Sequence, residues 1–162
     1  MALIKNGVFA DDPWTVVGEE DPVPGEGPVI VSVERWQAER ETLIGRNEPL
    51  GIRLRSDQSP ALIEADLDRF EVIAIEFPAF KDGRGFSYGR LLRERLGYEG
   101  EIRAFGHVIR DQFLFLARCG FDAVDVGARY DADDWAEALA EQSVFYQATG
   151  DGRETVQEKR GG

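Results

Sequence analysis

The residues best placed to do chemistry lie between Glu76 and Arg93, where a strongly apolar run ends at Pro78 and is followed by Asp82-Gly83-Arg84-Gly85. Such a loop suits the capture of a small oxyanion. Glycines let backbone N–H groups approach a ligand closely, and the start of the helix that follows carries partial positive charge. Arg84 and Ser87 would complete the site, with Arg90 one helical turn further on. The spacing is neither that of a dinucleotide fingerprint nor that of a P-loop. The same residues also make a tight turn, in which Asp82 caps backbone groups and Arg84 pairs with an acid. Both readings stand at this stage.

A second constellation follows the next strand: Gly106-His107-Val108-Ile109-Arg110-Asp111-Gln112. If the two strands are neighbours, their loops sit side by side and Arg84, His107 and Arg110 could converge. His107, the only histidine, is the candidate general acid or base near neutral pH. It serves equally as a surface or hydrogen-bonded structural residue. Asp111, in the first turn of its helix, complements the helix dipole. Elsewhere, Glu76 ends its strand as a candidate partner for an arginine such as Arg103. Cys119 stands at a helix C-terminus, where the dipole does not favour a thiolate. Asp131, Asp133 and Asp134 resemble a calcium cluster only superficially and read as helix caps. No His/Cys grouping suits zinc and no cysteine set suits an iron–sulfur cluster. The residues assign no metal and no cofactor.

These loops must be held by a regular framework, and the chain supplies one. Asn6-Gly7 between apolar residues predicts a β-hairpin over Leu3–Phe9, and Trp14 to Val17 a further short strand. Three prolines and two glycines between Asp21 and Pro28 then interrupt regular structure. Next come strands at Val29–Val31, Leu50–Leu54, Phe70–Phe77, Ile102–Phe105 and Ala123–Val126. Helices are expected from Ser32 to Ile44, after Ser59-Pro60, from Ser87 to Leu96 and from His107 to Cys119. A last helix opens at Asp131 or Asp133 and runs to Tyr146. Five strand–helix units with right-handed crossovers predict an α/β domain over 29–149: a five-stranded, mainly parallel, flavodoxin-like sheet with helices on both faces. A half-barrel is the alternative. Residues 1–28 read as an N-terminal hairpin and linker, and residues 150–162 as a disordered tail.

At 162 residues with 43% hydrophobic content the chain can build one ordinary core. Its single cysteine allows no internal disulfide, and no apolar run approaches the ~20 residues of a membrane span. A cytoplasmic protein is expected. The 31 acidic and 19 basic residues give a net charge of −12. Nucleic acid and anionic membranes would repel such a chain, whereas a basic partner would be attracted.

Several blocks of this sequence resemble one family. They are Phe77-Pro78, Phe80, Asp82-Gly83-Arg84-Gly85 and Ser87, then Arg90-Leu91-Leu92-Arg93, then Leu96-Gly97-Tyr98 with Gly100-Glu101-Ile102-Arg103-Ala104. Val108, Arg110-Asp111-Gln112 and Arg118-Cys119-Gly120-Phe121-Asp122-Ala123 follow in order. The family is the bacterial domain of unknown function numbered nine hundred thirty-four. Genes of that family commonly sit beside those for assimilatory sulfite reductase and cysteine synthesis. The resemblance therefore implies a role in sulfur assimilation, but no settled activity, cofactor or catalytic residue.

Three functional expectations follow. The first is an accessory protein that docks to sulfite reductase. The second is an enzyme or binding protein for a small oxyanion or nucleotide, using the Arg84 and Arg110 loops. The third is a scaffold that forms homo-oligomers through its N-terminal hairpin.

Overall fold

The hairpin turn comes out as its sequence demands. Asn6 and Gly7 both take positive φ (51° and 84°), which a two-residue hairpin turn requires, and they join strands β1 (Leu3–Lys5) and β2 (Val8–Ala10). Further along lie β3 (Thr15–Val16), β4 (Val29–Ser32), β5 (Leu50–Leu54), β6 (Val72–Phe77), β7 (Glu101–Gly106) and β8 (Ala123–Asp125). The computed structural model of the chain describes residues 3–79 and 82–126, with Arg110 described by its backbone alone. The expected last helix, the aspartates at its start and the tail at 150–162 fall outside the described residues.

Helix boundaries follow local chemistry. Helix α1 (Val33–Ile44) is capped by Ser32, whose hydroxyl accepts from the Arg35 amide at 3.0 Å, and it stops at Gly45. Pro60–Arg69 forms a 3₁₀ helix opened by Ser59 and Pro60. Helix α2 (Arg84–Arg90) starts three residues earlier than expected, because Asp82 accepts from the Arg84 amide at 3.1 Å. It runs on as a π turn through Leu91–Arg95 and ends at Gly97, where φ is +68°. Helix α3 (Phe113–Arg118), entered through a 3₁₀ turn at Arg110–Gln112, starts later than expected. Gly106 (φ +94°) turns the chain first, and the His107 amide donates to the Phe77 carbonyl. Among the described residues no helix is long and apolar enough to cross a membrane.

The sheet order is β2-β1-β8-β7-β6-β5-β4-β3. Strands β3 to β8 run parallel and in chain order, and β1 joins β8 antiparallel. This overturns the five-stranded flavodoxin-like sheet, whose order must reverse so that helices cover both faces. When every parallel neighbour is also the next strand in sequence, right-handed crossovers leave all the helices on one face. The core shows that arrangement. Val29, Val31, Ile52, Leu54, Ile73, Ile75, Ile102 and Ala104, one face of four strands, pack with Trp36, Ile63, Leu92, Phe113 and Leu116 of the helices. Nor does the hairpin hang apart: Ile4 of β1 is 1% exposed and belongs to this core.

The sheet must also curl. Strands β2 and β3 are its two edges, yet only the four residues Asp11–Trp14 separate them in sequence. A flat array of eight strands would set those edges ~34 Å apart, at ~4.8 Å per strand. The five steps from Ala10 to Thr15 reach at most ~18 Å. The result is an eight-stranded half-barrel with its helices outside. Its inward face carries a layer in register, Ser32-Arg53-Ala74-Arg103-Ala123. Two arginines thus alternate with two alanines where an ordinary small barrel would place aliphatic side chains.

The segment between β3 and β4 is tied down despite its prolines. Arg35 donates to the carbonyls of Gly18 (2.6 Å) and Asp21, and Arg46 to those of Pro24 and Gly27 (both 2.9 Å).

Candidate functional site

In a parallel curled sheet the loops after the strands gather at one rim, where such folds bind ligands. Register places Phe77 beside Gly106, so the loops that follow β6 and β7 are neighbours, as the sequence predicted. The Arg84 side chain, however, is taken up by partners of its own.

Arg84 turns toward the end of β5. Its guanidinium donates to both Asp82 oxygens (3.0 and 2.7 Å) and to the Ser56 hydroxyl (3.1 Å). Asp82 also accepts the Arg84 amide. These bonds from Arg84 hold the Asp82 carboxyl down at about 2. The Tyr88 hydroxyl donates to the Ser56 carbonyl at 2.8 Å, so α2 is pinned to the β5 end from both sides. The turn chemistry foreseen for Asp82 and Arg84 is present, and it engages the side chain that an anion would need.

The glycines serve packing more than a phosphate cradle. Gly85 lies inside α2 and is buried; a Cβ there would meet the Phe77 ring at 2.5 Å. At Gly89 a Cβ would meet Phe121 at 2.5 Å. The pair lets α2 sit directly on two core aromatics. Gly83 is exposed and has nothing within 4 Å of a Cβ position. Ser87 is exposed on α2, where its carbonyl accepts the Leu91 amide.

Arg90 is drawn to a different helix. It lies over the Phe115 ring at 5.7 Å, and the neighbouring Cys119 keeps the Arg90 guanidinium protonated to higher pH. Cys119 is 1% exposed, and burial pushes its thiol up. His107 and Asp111 are exposed at the rim, and Arg110 opens the 3₁₀ turn. The Gln112 side chain accepts from the Ile109 amide at 3.5 Å. The Arg84 guanidinium that was expected to converge with His107 is engaged by Asp82 and Ser56.

The most unusual electrostatics sit on the inward face, where the sequence alone pointed only to a Glu76–Arg103 pair. At the N-terminal end of the strands, Arg103 (3% exposed) meets Asp12 and Glu101, both at 3.0 Å, and Lys5 meets Glu101 at 2.9 Å. The expected Glu76–Arg103 pair is therefore not made. The Arg103 Nη2 atom is buried without a hydrogen-bond acceptor among the described residues. Toward the rim, the half-buried Arg53 guanidinium lies 3.9 Å from the Phe105 ring centroid. Burial lowers its proton affinity, and the nearby charges of Asp125 and Glu76 restore part of it. Glu76 accepts the Ser56 amide at 3.4 Å. A signal for this face was present in the sequence: Arg53, Glu76 and Arg103 stand at alternate positions of apolar strands, so the second face had to be polar. Among the described residues no group of three His, Cys, Asp or Glu side chains could hold a metal ion.

Curled parallel strands, helices outside and loops gathered at one rim define the class: an α/β half-barrel. The chain belongs to the family described as bacterial protein of unknown function (DUF934), whose model matches residues 51–157. That span starts within β5 and includes Arg53, Glu76, the Arg84 loop, Arg103 and His107. No curated protein matches the chain.

Proposed function

We propose that this chain is an accessory protein of sulfur assimilation that docks to sulfite reductase. The pathway comes from the family resemblance, with its gene neighbourhood. The mode of action comes from a groove of about 370 Å³ on the outer side of the sheet, lined by Leu67, Asp68, Phe70, Leu96, Gly97, Tyr98, Glu99 and Gly100. Its lining holds four apolar side chains and two exposed carboxylates, and no cation. Glu71, also exposed, follows directly after Phe70.

An apolar floor with an acidic rim suits a basic, partly apolar segment of a partner protein. The rim charges would speed encounter more than they would add affinity. The net charge of −12 acts in the same direction over longer range.

The test is capture of the host's sulfite reductase by the tagged chain at low and high salt. A complex that forms at low salt, and is weakened both by salt and by Asp68→Lys with Glu99→Lys, supports the reading. Failure to capture the enzyme at any salt concentration overturns it. The alternative of an oxyanion site on Arg84 and Arg110 is less favoured, because Asp82 already occupies the Arg84 guanidinium.

A further inference from the structure

We propose that the rim end of the inward face binds a small zwitterion of the α-amino-acid class, its carboxylate on Arg53 and its ammonium on Glu76. Arg53 makes no ion pair or side-chain hydrogen bond to any described residue. Its one partner among the described residues is the face of Phe105, 3.9 Å away. A guanidinium held over an aromatic face by its cationic charge keeps N–H donors available for a bidentate acceptor. Every other arginine on or near the rim whose side chain is described is engaged. Arg55 pairs with Glu34 and Asp57, Arg84 with Asp82, and Arg90 lies over the Phe115 ring.

The shape of the site follows from register. Arg53 stands opposite Ala74, and Glu76, two residues on along the same strand face, stands opposite Phe105. Alanine leaves the path open for Arg53 to reach across β6 to the Phe105 ring. Glu76 stands on the same face of the sheet, opposite Phe105. Of its two carboxylate oxygens, one takes the Ser56 amide at 3.4 Å and the other has no acceptor role toward any described residue.

Charge decides the ligand class. Arg53 feels both Asp125 and Glu76 yet lies within ion-pairing distance of neither. A plain anion would be attracted by Arg53 and repelled by Glu76. A plain cation would meet the reverse conflict with Arg53. A molecule with a carboxylate and an ammonium a few ångströms apart satisfies both kinds of group at once. The site is separate from the outer groove, so its fate does not depend on the docking reading.

The test is calorimetric titration of the full chain with glycine, with acetate, methylammonium and inorganic phosphate titrated separately. Glycine is expected to bind at least tenfold more tightly than any of the other three. Arg53→Met, which keeps the side-chain volume, and Glu76→Gln should each weaken glycine binding by about tenfold or more while the circular dichroism spectrum stays unchanged. Binding of acetate or phosphate as tight as that of glycine would overturn the zwitterion reading. No glycine binding, or binding that survives Glu76→Gln, would overturn it also. That second variant decides the matter even if Arg53→Met does not fold.

Discussion

Arg53 and Arg103 flank Ala74 in register on the inward face of the sheet and lean to opposite ends of it. Arg53 lies over Phe105 toward the rim, and Arg103 meets Asp12 and Glu101 at the other end. Two like charges one strand apart on either side would repel in a closed apolar core. Here each is held in its own surroundings, and the alanine between them leaves room for both.

The Arg103 cluster should be structural and sensitive. Asp12 is 6% exposed and Glu101 8%, so Arg103→Ala would strand two buried carboxylates, with only Lys5 left to serve Glu101. Breaking one side of such a pair costs about 3–5 kcal/mol. Urea denaturation should show a loss in that range. The double variant Arg103→Met with Asp12→Asn should lose clearly less, because fewer uncompensated charges remain buried. A loss under ~1 kcal/mol for Arg103→Ala would mean that water reaches the cluster.

Gly83 and Gly85 should respond in opposite ways to alanine. At Gly85 the new Cβ would lie 2.5 Å from the ring of Phe77, itself 1% exposed and packed against the Phe86 and Phe121 rings. Overpacking of that kind costs about 1–3 kcal/mol. Gly83 has φ −89° and an open Cβ position, so Gly83→Ala should be neutral or stabilise by a few tenths to ~1 kcal/mol. Thermal unfolding of the two variants checks the contrast. Equal losses would return the loop to a role in which both glycines are needed for backbone conformation.

This contrast also shows what the sequence could reveal. Ser32, Gly45, Ser59-Pro60 and Asn6-Gly7 carry their structural meaning within a few residues, and the elements they bound appeared where expected. Strand order carries no such local mark. The same five strand–helix units suit a doubly wound sheet and a half-barrel, and the choice depends on whether each crossover lands beside the preceding strand. What decided it here is the short Asp11–Trp14 connection between opposite edges, which only a curled sheet permits. The site suffered in the same way. The Asp82-Arg84 loop drew attention through its composition. Arg53 and Arg103 sit at alternating positions that mark a polar face, but which residues meet across that face depends on register.

Acid should loosen the β5–β6 rim through Asp82. Its carboxyl is lowered from 3.8 to about 2 by Arg84, so the folded state holds the charged form more strongly than the unfolded chain does. The stabilisation is complete above the unfolded value and is lost as pH falls through about 2. Asp82→Asn should therefore show a flatter loss of stability than the parent between pH ~4 and ~2, with the gap between the two chains narrowing as pH drops. Parallel acid limbs for the two proteins would show that the Asp82–Arg84 contact is too well solvated to matter.

Cys119 gives a clean probe of core opening because it is the only cysteine in the chain. It follows α3, is 1% exposed, and its thiol is raised by burial, an effect that Arg90 only partly offsets. Attack on an alkylating reagent needs both access and the thiolate, and the folded protein withholds the first and disfavours the second. Iodoacetamide should therefore label the native chain on the order of 100-fold or more slowly than the urea-unfolded chain, at a rate set by local opening. Arg90→Ala removes a positive charge that favours the thiolate, so it should not speed labelling through chemistry. If it does, the Arg90–Phe115 contact is what keeps α3 closed over the sulfur. Native and unfolded chains labelled at similar rates would contradict the burial itself.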